Sequence, residues 1–246
     1  MSLPRLLLSI VGIAVIVLVA GVAGWWFLIR EDAKPKTDPQ AITPELIATT
    51  TALAAAGAPT AAATGGARAF QIIPEQSEAT YLAGETLASV GLPSTAEGAT
   101  QEIAGTMYLT DDGFDLDPTQ ESRITVQLAN LATDQDRRDS RVRVALEVDQ
   151  FPEASFVATS VTGVDTSLPE EAEHTFQLTG IMTLHGVENE VTWQVIASRQ
   201  GDIMTALATI TILYTDFDIT KPDIGGFVSV EDDVTLQMDI VATRRS

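Results

Sequence analysis

From residue 70 to the C-terminus, apolar and polar side chains alternate with a period of two, which commits most of the chain to extended structure. Val234, Leu236, Met238 and Ile240 occupy every second position of one run; Phe176, Leu178, Met182 and Leu184 do so in "HTFQLTGIMTL". Ile124, Val126 and Leu128 in "SRITVQLAN" and Val191, Trp193 and Val195 in "NEVTWQVIA" repeat the pattern. Successive side chains of an extended chain point to opposite faces, so each run has one dry and one wet face. The run of Val234 extends over 227–243, and the further strand candidates are 71–82, 100–110, 154–162 and 203–215, which makes eight. The short stretch "HGVEN", 185–189, joins two of them as a hairpin. Eight antiparallel strands predict a sandwich or a barrel, and closure into a barrel removes the edges that long alternating runs otherwise expose. The interior of such a barrel is either packed solid or holds one elongated ligand. Periodicity does not separate the two, although large interior residues are interspersed with small ones such as Gly105, Ala158, Gly180 and Ala208.

The N-terminus has a different character. After the short segment 1–5, residues 6–29 run 24 positions with Ser9 as the only clearly polar side chain. At about 1.5 Å per residue a helix of that length spans roughly 36 Å, enough for a hydrocarbon core of about 30 Å. A transmembrane helix is expected, with Trp25 and Trp26 at an interface; a cleavable signal peptide is the competing reading, but its apolar region is shorter. Arg5 opposes Arg30, Lys34 and Lys36, so charge alone weakly favours the reverse of an N-terminus inside. Residues 30–69 hold long Ala/Thr runs and several prolines, and read as a flexible linker in which 45–56 forms at most a transient helix.

Composition excludes several chemistries. The chain has no cysteine and therefore no disulfide, thiolate nucleophile or Cys-based metal site. Its formal charge is −20, and residues 70–246 carry nine Lys plus Arg against thirty Asp plus Glu, a poor match to nucleic acid. The carboxylate pairs Asp111-Asp112, Glu170-Glu171 and Asp232-Asp233 are adjacent in sequence and read as solvated. His174 and His185 lack metal-ligand spacing and read as surface or turn residues. No nucleophile elbow, phosphate loop or dinucleotide fingerprint is present, so no catalytic residue, no metal ligand and no cofactor is assigned, and the chain is not expected to be an enzyme.

The densest basic patch is "DQDRRDSRVRVALEV", 134–148. Its valines alternate as in a strand, but its first half suits a short helix. With the following "FPEASFVATSVTG" it resembles the YceI-like family pattern of an Arg-Asp pair, a short helix, an aromatic-Pro pair and a Phe-bearing strand, here Arg138, Asp139, Phe151, Pro152 and Phe156. "IIPEQSEATYL", "LTGIMTLHGVENEVTWQV", "ITILYTDFDIT" and "VSVEDDVTLQMDIVA" continue the resemblance in order over about 70–246, with Phe217 at the family's aromatic position. The run Arg141–Val148 and the longer, polar first connection 82–103 depart from the family pattern.

The resemblance implies an all-β, extended eight-stranded antiparallel lipocalin-like β-barrel, with a short helix and preceded by one transmembrane helix. It implies a long-chain lipid partner, an isoprenoid or acyl lipid, in an extracytoplasmic compartment of a bacterial envelope, and no chemistry. The chain is then a single-pass membrane protein with its N-terminus in the cytoplasm and its barrel outside; its oligomeric state is open, a dimer included. An ectodomain with a solid core that binds another envelope protein is the alternative. Strand parity assigns the lipid-facing interior to Tyr81, Met107, Val126, Phe156, Phe176, Met182, Trp193, Ile210, Phe217 and Met238. The four arginines and three aspartates of 134–143 leave a local charge of only +1, so Asp136, Arg138 and Asp139 are expected to form a structural clasp. Arg141 and Arg143 are the candidates for a lipid head group at the mouth.

Overall fold

The alternating runs pair into one antiparallel sheet that closes on itself. The computed structural model describes residues 33–56, 68–87, 92–221 and 228–245. The strands are β1 (Arg68–Ile72), β2 (Glu78–Leu87), β3 (Leu92–Thr100), β4 (Ile103–Leu109) and β5 (Arg123–Gln127), followed by β6 (Glu153–Thr162), β7 (His174–Leu184), β8 (Val187–Gln200), β9 (Ile203–Leu213) and β10 (Val228–Arg245). Their order in the sheet is β1-β4-β5-β6-β7-β8-β9-β10-β2-β3, with β1 also paired to β10.

These ten segments fill eight staves. β1 and β2 lie end to end along β10, Ile72 facing Ala242 and Glu78 facing Asp239, and the 3-10 turn Pro74–Gln76 makes the break between them. β3 and β4 repeat the arrangement one stave further on, β3 against β2 and β4 against β1. The result is an eight-stave closed barrel with two short helices, α1 (Pro44–Ala56) and α2 (Asp136–Ala145). The polar connection expected over 82–103 therefore contains a strand. β3 reads "LPSTAEGAT", and its small residues let β2 side chains lie across it: Tyr81 covers Gly98, where a Cβ would stand 2.3 Å from the ring.

Parity holds along most of each strand. β8 buries Trp193, Val195, Ala197 and Arg199 in strict alternation, and β7 buries His174, Leu178, Gly180, Met182 and Leu184. A register shift between Ala158 and Ser160 moves the interior face of β6 from Phe156 and Ala158 to Val161. The β7–β8 turn is the two residues His185 and Gly186, with φ of 53° and 76°, a conformation for which glycine supplies the second position.

β10 breaks the alternation, because residues 237–243 are buried on both faces. What covers its outer face is the segment expected to be a flexible linker. Lys36 N–H donates to Gln237 Oε1 at 2.8 Å, Gln237 Nε2 donates back to Lys36 O at 2.9 Å, and Lys36 Nζ lies 2.8 Å from Asp239 Oδ2. Gln40 Nε2 donates to Gln76 O, and the fully buried Thr50 of α1 donates its hydroxyl to Gln76 Oε1. α1 begins with Thr43, whose Oγ accepts from Leu46 N–H, and Pro44, two residues suited to a helix start. Residues 36–50 are thus a strap fixed by polar contacts, which explains why a composition poor in large apolar residues still gives ordered structure. Among the described residues no helix is long and apolar enough to cross a membrane. The expected span 6–29 lies outside the described residues, as do linker residues 57–67.

Candidate functional site: a two-chamber apolar channel

Inward-facing side chains from every stave leave two cavities in line along the barrel. The upper one encloses about 150 Å³ and the lower one about 120 Å³. Ile124 of β5 and Met238 of β10 belong to both walls and form the partition between them. β10 lines the whole channel, from Val234 and Leu236 above Met238 to Ile240 and Ala242 below it. At about 3.3 Å per residue, those eight steps run roughly 26 Å along the strand.

α2 roofs the upper chamber. Val142 and Leu146 are one helical turn apart and share its inner face with Ala145, while Val144 points outward and is 77% exposed. Helical spacing thus overrides the strand-like valine alternation seen in the sequence. The helix is pinned at its start. Asp139 is buried and accepts Thr133 N–H at 2.9 Å and Thr133 Oγ–H at 2.6 Å. Arg138 pairs with Asp134 at 2.7 Å and reaches Glu85 of β2 at 3.5 Å. Arg138 and Asp139 act as clasp residues through these other partners. Asp136 opens the helix, and its carbonyl accepts Ser140 Oγ–H. Beyond the far end of α2, His185 meets Phe151 edge to face at 4.9 Å and donates Nδ1–H to Phe217 O at 3.1 Å; it lines neither chamber.

The upper walls are mostly apolar and carry no ionic side chain. Tyr81 Oη and Trp193 Nε1 are buried polar atoms without a hydrogen-bond partner, and both residues line this chamber. Burial pushes the Tyr81 phenol well above its ordinary range, against the opposing influence of Arg138. Burial likewise pushes Tyr214 up to about 12, with Glu85 and Asp233 adding to the effect. Both phenols are neutral at ordinary pH. Phe156 and Trp193 meet edge to face at 6.1 Å across the wall.

Six of the ten interior residues expected from parity line the upper chamber: Tyr81, Val126, Phe156, Met182, Trp193 and Met238. Met107 and Phe176 line the lower chamber. Ile210 packs against the core without lining either, and Phe217, fully buried in the turn Tyr214–Phe217, does the same. The head-group candidates are placed elsewhere. Arg141 is exposed and Arg143 borders a shallow depression with Ser140, Val144 and Glu147, whereas the helix residues that meet the channel are Val142, Ala145 and Leu146.

The lower chamber contains charges that parity counting missed. Arg199 of β8 and His174 of β7 both line it and are 8% and 7% exposed. Glu170, from the loop before β7, pairs with Arg199 and also with Arg68 at 3.3 Å. The expectations of a surface histidine at 174 and a solvated Glu170 are therefore corrected: one is buried at the channel end and the other is ion-paired there. Asp111 and Asp112 do form a turn, in which Asp112 accepts from Thr110 and Phe114. Among the described residues no three His, Asp or Glu side chains form a group able to hold a metal ion.

Known proteins resemble this chain in sequence and in fold. UPF0312 proteins from two strains of Pseudomonas putida are 33% and 32% identical over 132 residues, which cover 49% of this chain and 65% of each relative. The chain thus matches just under two thirds of the length of these curated relatives. In three dimensions the barrel is similar to Burkholderia cenocepacia BcnA, with a TM-score of 0.53 and 17% identity over 70% of this chain and 99% of that one. It is similar to the same degree, 0.53 with 14% identity, to a polyisoprenoid binding domain from Saccharophagus degradans implicated in plant cell wall breakdown, over 72% of this chain and 98% of the other. At these identities the two structures establish a shared fold. The YceI-like domain family matches residues 70–242, which span every stave of the barrel and both chambers, and the chain belongs to that family.

Proposed function

We propose that this protein binds a long-chain lipid, a polyisoprenoid or a similar chain, inside its barrel and carries, stores or sequesters it. The single observation behind this reading is the pair of largely apolar chambers in line along β10, with Ile124 and Met238 between them. A solid core leaves few voids larger than a water molecule, whereas a ligand site is a concave, mostly apolar space with a few placed polar groups. Family membership and the polyisoprenoid binding domain with the same fold support the choice of ligand.

The same reading has residues 6–29 anchor the protein in a membrane, N-terminus in the cytoplasm, with the barrel on the extracytoplasmic side. Support comes from the 24-residue apolar stretch and from the docked strap. Only residues 30–35 separate that stretch from Lys36, a length of chain that reaches at most about 20 Å. Close tethering keeps a lipid-binding module near its lipid source and raises the effective concentration of each for the other. The ionic groups of the lining, Arg199, His174 and Glu170, sit together at the lower end, and the rest of the wall is suited to binding an apolar chain.

The test is uptake of a fluorescent polyprenyl probe by the full chain. Saturable binding with about one probe per chain is expected, and competition by unlabelled long-chain isoprenoid should abolish it. Absence of uptake by protein shown to be folded would leave the reading without support and favour a solid-core interaction domain.

A further inference from the structure

On the reading that the channel holds a lipid, we infer that the lower chamber ends in an anion-binding site, formed by Arg199 and His174, that takes an acidic lipid head group such as a phosphate. Arg199 occupies an interior position of β8: it continues the series Trp193, Val195, Ala197, where each predecessor is apolar. A buried guanidinium in an apolar wall is costly unless it is paired and hydrogen-bonded. Its surroundings supply few acceptors. Its Cζ stands 5.7 Å above the Phe70 ring, and its Nη1 lies where a Cβ on Gly113 would come within 2.5 Å, so only glycine leaves room for it. Its carboxylate partner, Glu170, is 39% exposed in a loop and is shared with Arg68.

Ionic groups of both signs gather at this end of the barrel, with Arg199 buried in its wall. Burial first, then Arg68 and Arg244, lower the Arg199 pKa from its ordinary value. The negative groups are Glu170, Asp112 beside Arg68 and Asp165 near His174, and Asp112 and Asp165 are exposed outside the lining.

His174 adds a second, independent sign. Its Nε2–H donates to Pro169 O at 3.0 Å, which fixes Nδ1 as the other pole of the ring, and Nδ1 is buried with no partner. A phosphomonoester meets both needs at once: its oxygens accept from the guanidinium fork, and its hydroxyl donates to Nδ1. Glu170 is then a displaceable stand-in, with a side chain 39% exposed to the solvent that could receive it. The lipid tail would run past Met238 into the upper chamber, placing the head at the opposite end from Arg141 and Arg143.

Titration of the full chain with farnesyl phosphate, farnesol and inorganic phosphate tests this. Wild type should bind farnesyl phosphate about tenfold or more tighter than farnesol, a difference of about 1.4 kcal/mol. Arg199→Met should reduce that ratio to near one, and Glu170→Gln, at a half-exposed position that tolerates change, should raise it. Equal binding of the two lipids by wild type, or a ratio that survives Arg199→Met and does not rise in Glu170→Gln, overturns the site. If neither lipid binds but inorganic phosphate does so in an Arg199-dependent manner, the anion site stands and the lipid reading falls; if farnesol binds and phosphate makes no difference, the reverse holds. If none of the three ligands binds folded protein, both fall.

Discussion

The two chambers are built from the same staves, yet one keeps ions out of its wall and the other admits them. Above Met238 the charged groups satisfy each other outside the lining, Arg138 with Asp134 and Glu85 and Asp139 with Thr133, and the polar residues of the lining itself, Tyr81 and Trp193 among them, are neutral. Below Met238, Arg199, His174 and Glu170 are part of the lining itself. β7, β8, β9 and β10 run unbroken through both, so their backbone geometry cannot be the cause. The difference comes from which residue stands at an interior parity position near a strand end, Leu184 at the upper end of β7 and His174 at its lower end. A channel apolar along its length and charged at one end fits an amphiphile in one direction.

The largest expected effects separate wall from core. Phe217 is fully buried and lines neither chamber, so Phe217→Ala should cost about 3–5 kcal/mol in urea denaturation. Trp193 already faces a void, so Trp193→Ala should cost less, about 2–3 kcal/mol, and change probe uptake. Equal losses at the two positions would make the upper chamber a packed core and end the comparison. Next comes the roof: Asp139→Ala removes both bonds to Thr133 and should cost about 2 kcal/mol, with faster release of probe from the upper chamber in stopped-flow chase.

Met238→Trp fills the partition. It should lower polyprenyl affinity about tenfold, roughly 1.4 kcal/mol, while leaving inorganic phosphate binding at the lower end unchanged, as titration of both ligands would show. The smallest effect is on pH dependence. Burial first, then Glu85 and Asp233, raises Tyr214 from 10.0 to about 12. Between those values the unfolded chain releases the phenolic proton and the folded chain keeps it, so the stability from this group is complete below pH 10 and is lost as pH rises towards about 12. Tyr81 acts in the same direction. Tyr214→Phe should flatten part of that decline in melts recorded across the window.

Legibility in the sequence followed burial pattern. Strands with one dry face were readable, and parity placed Phe156, Met182, Trp193 and Met238 on the channel before any coordinates. β3 was not readable, because beyond Leu92 and Pro93 it carries small or polar residues, and the surface it offers Tyr81 is a glycine. The strap was hidden for another reason: its contacts are polar and distant in sequence, Lys36 to Asp239 above all, and Ala/Thr-rich composition gives no sign of them. Arg199 and His174 were legible in principle. The alternation of β8 was read as far as Val195, and two further steps place a charged residue on the dry face, which is the mark of a site. The register shift at Ala158–Ser160 shows the limit of such counting, since beyond it the interior residue of β6 has the opposite parity.

The central claim is that the barrel is a lipid site, and the most direct measurement is native mass spectrometry of the full chain purified gently enough to retain bound molecules, followed by solvent extraction. The account predicts one long-chain lipid per chain, released on unfolding and depleted in Met238→Trp. Folded wild-type protein at its bare mass, which also takes up no polyprenyl or acyl probe, would contradict it.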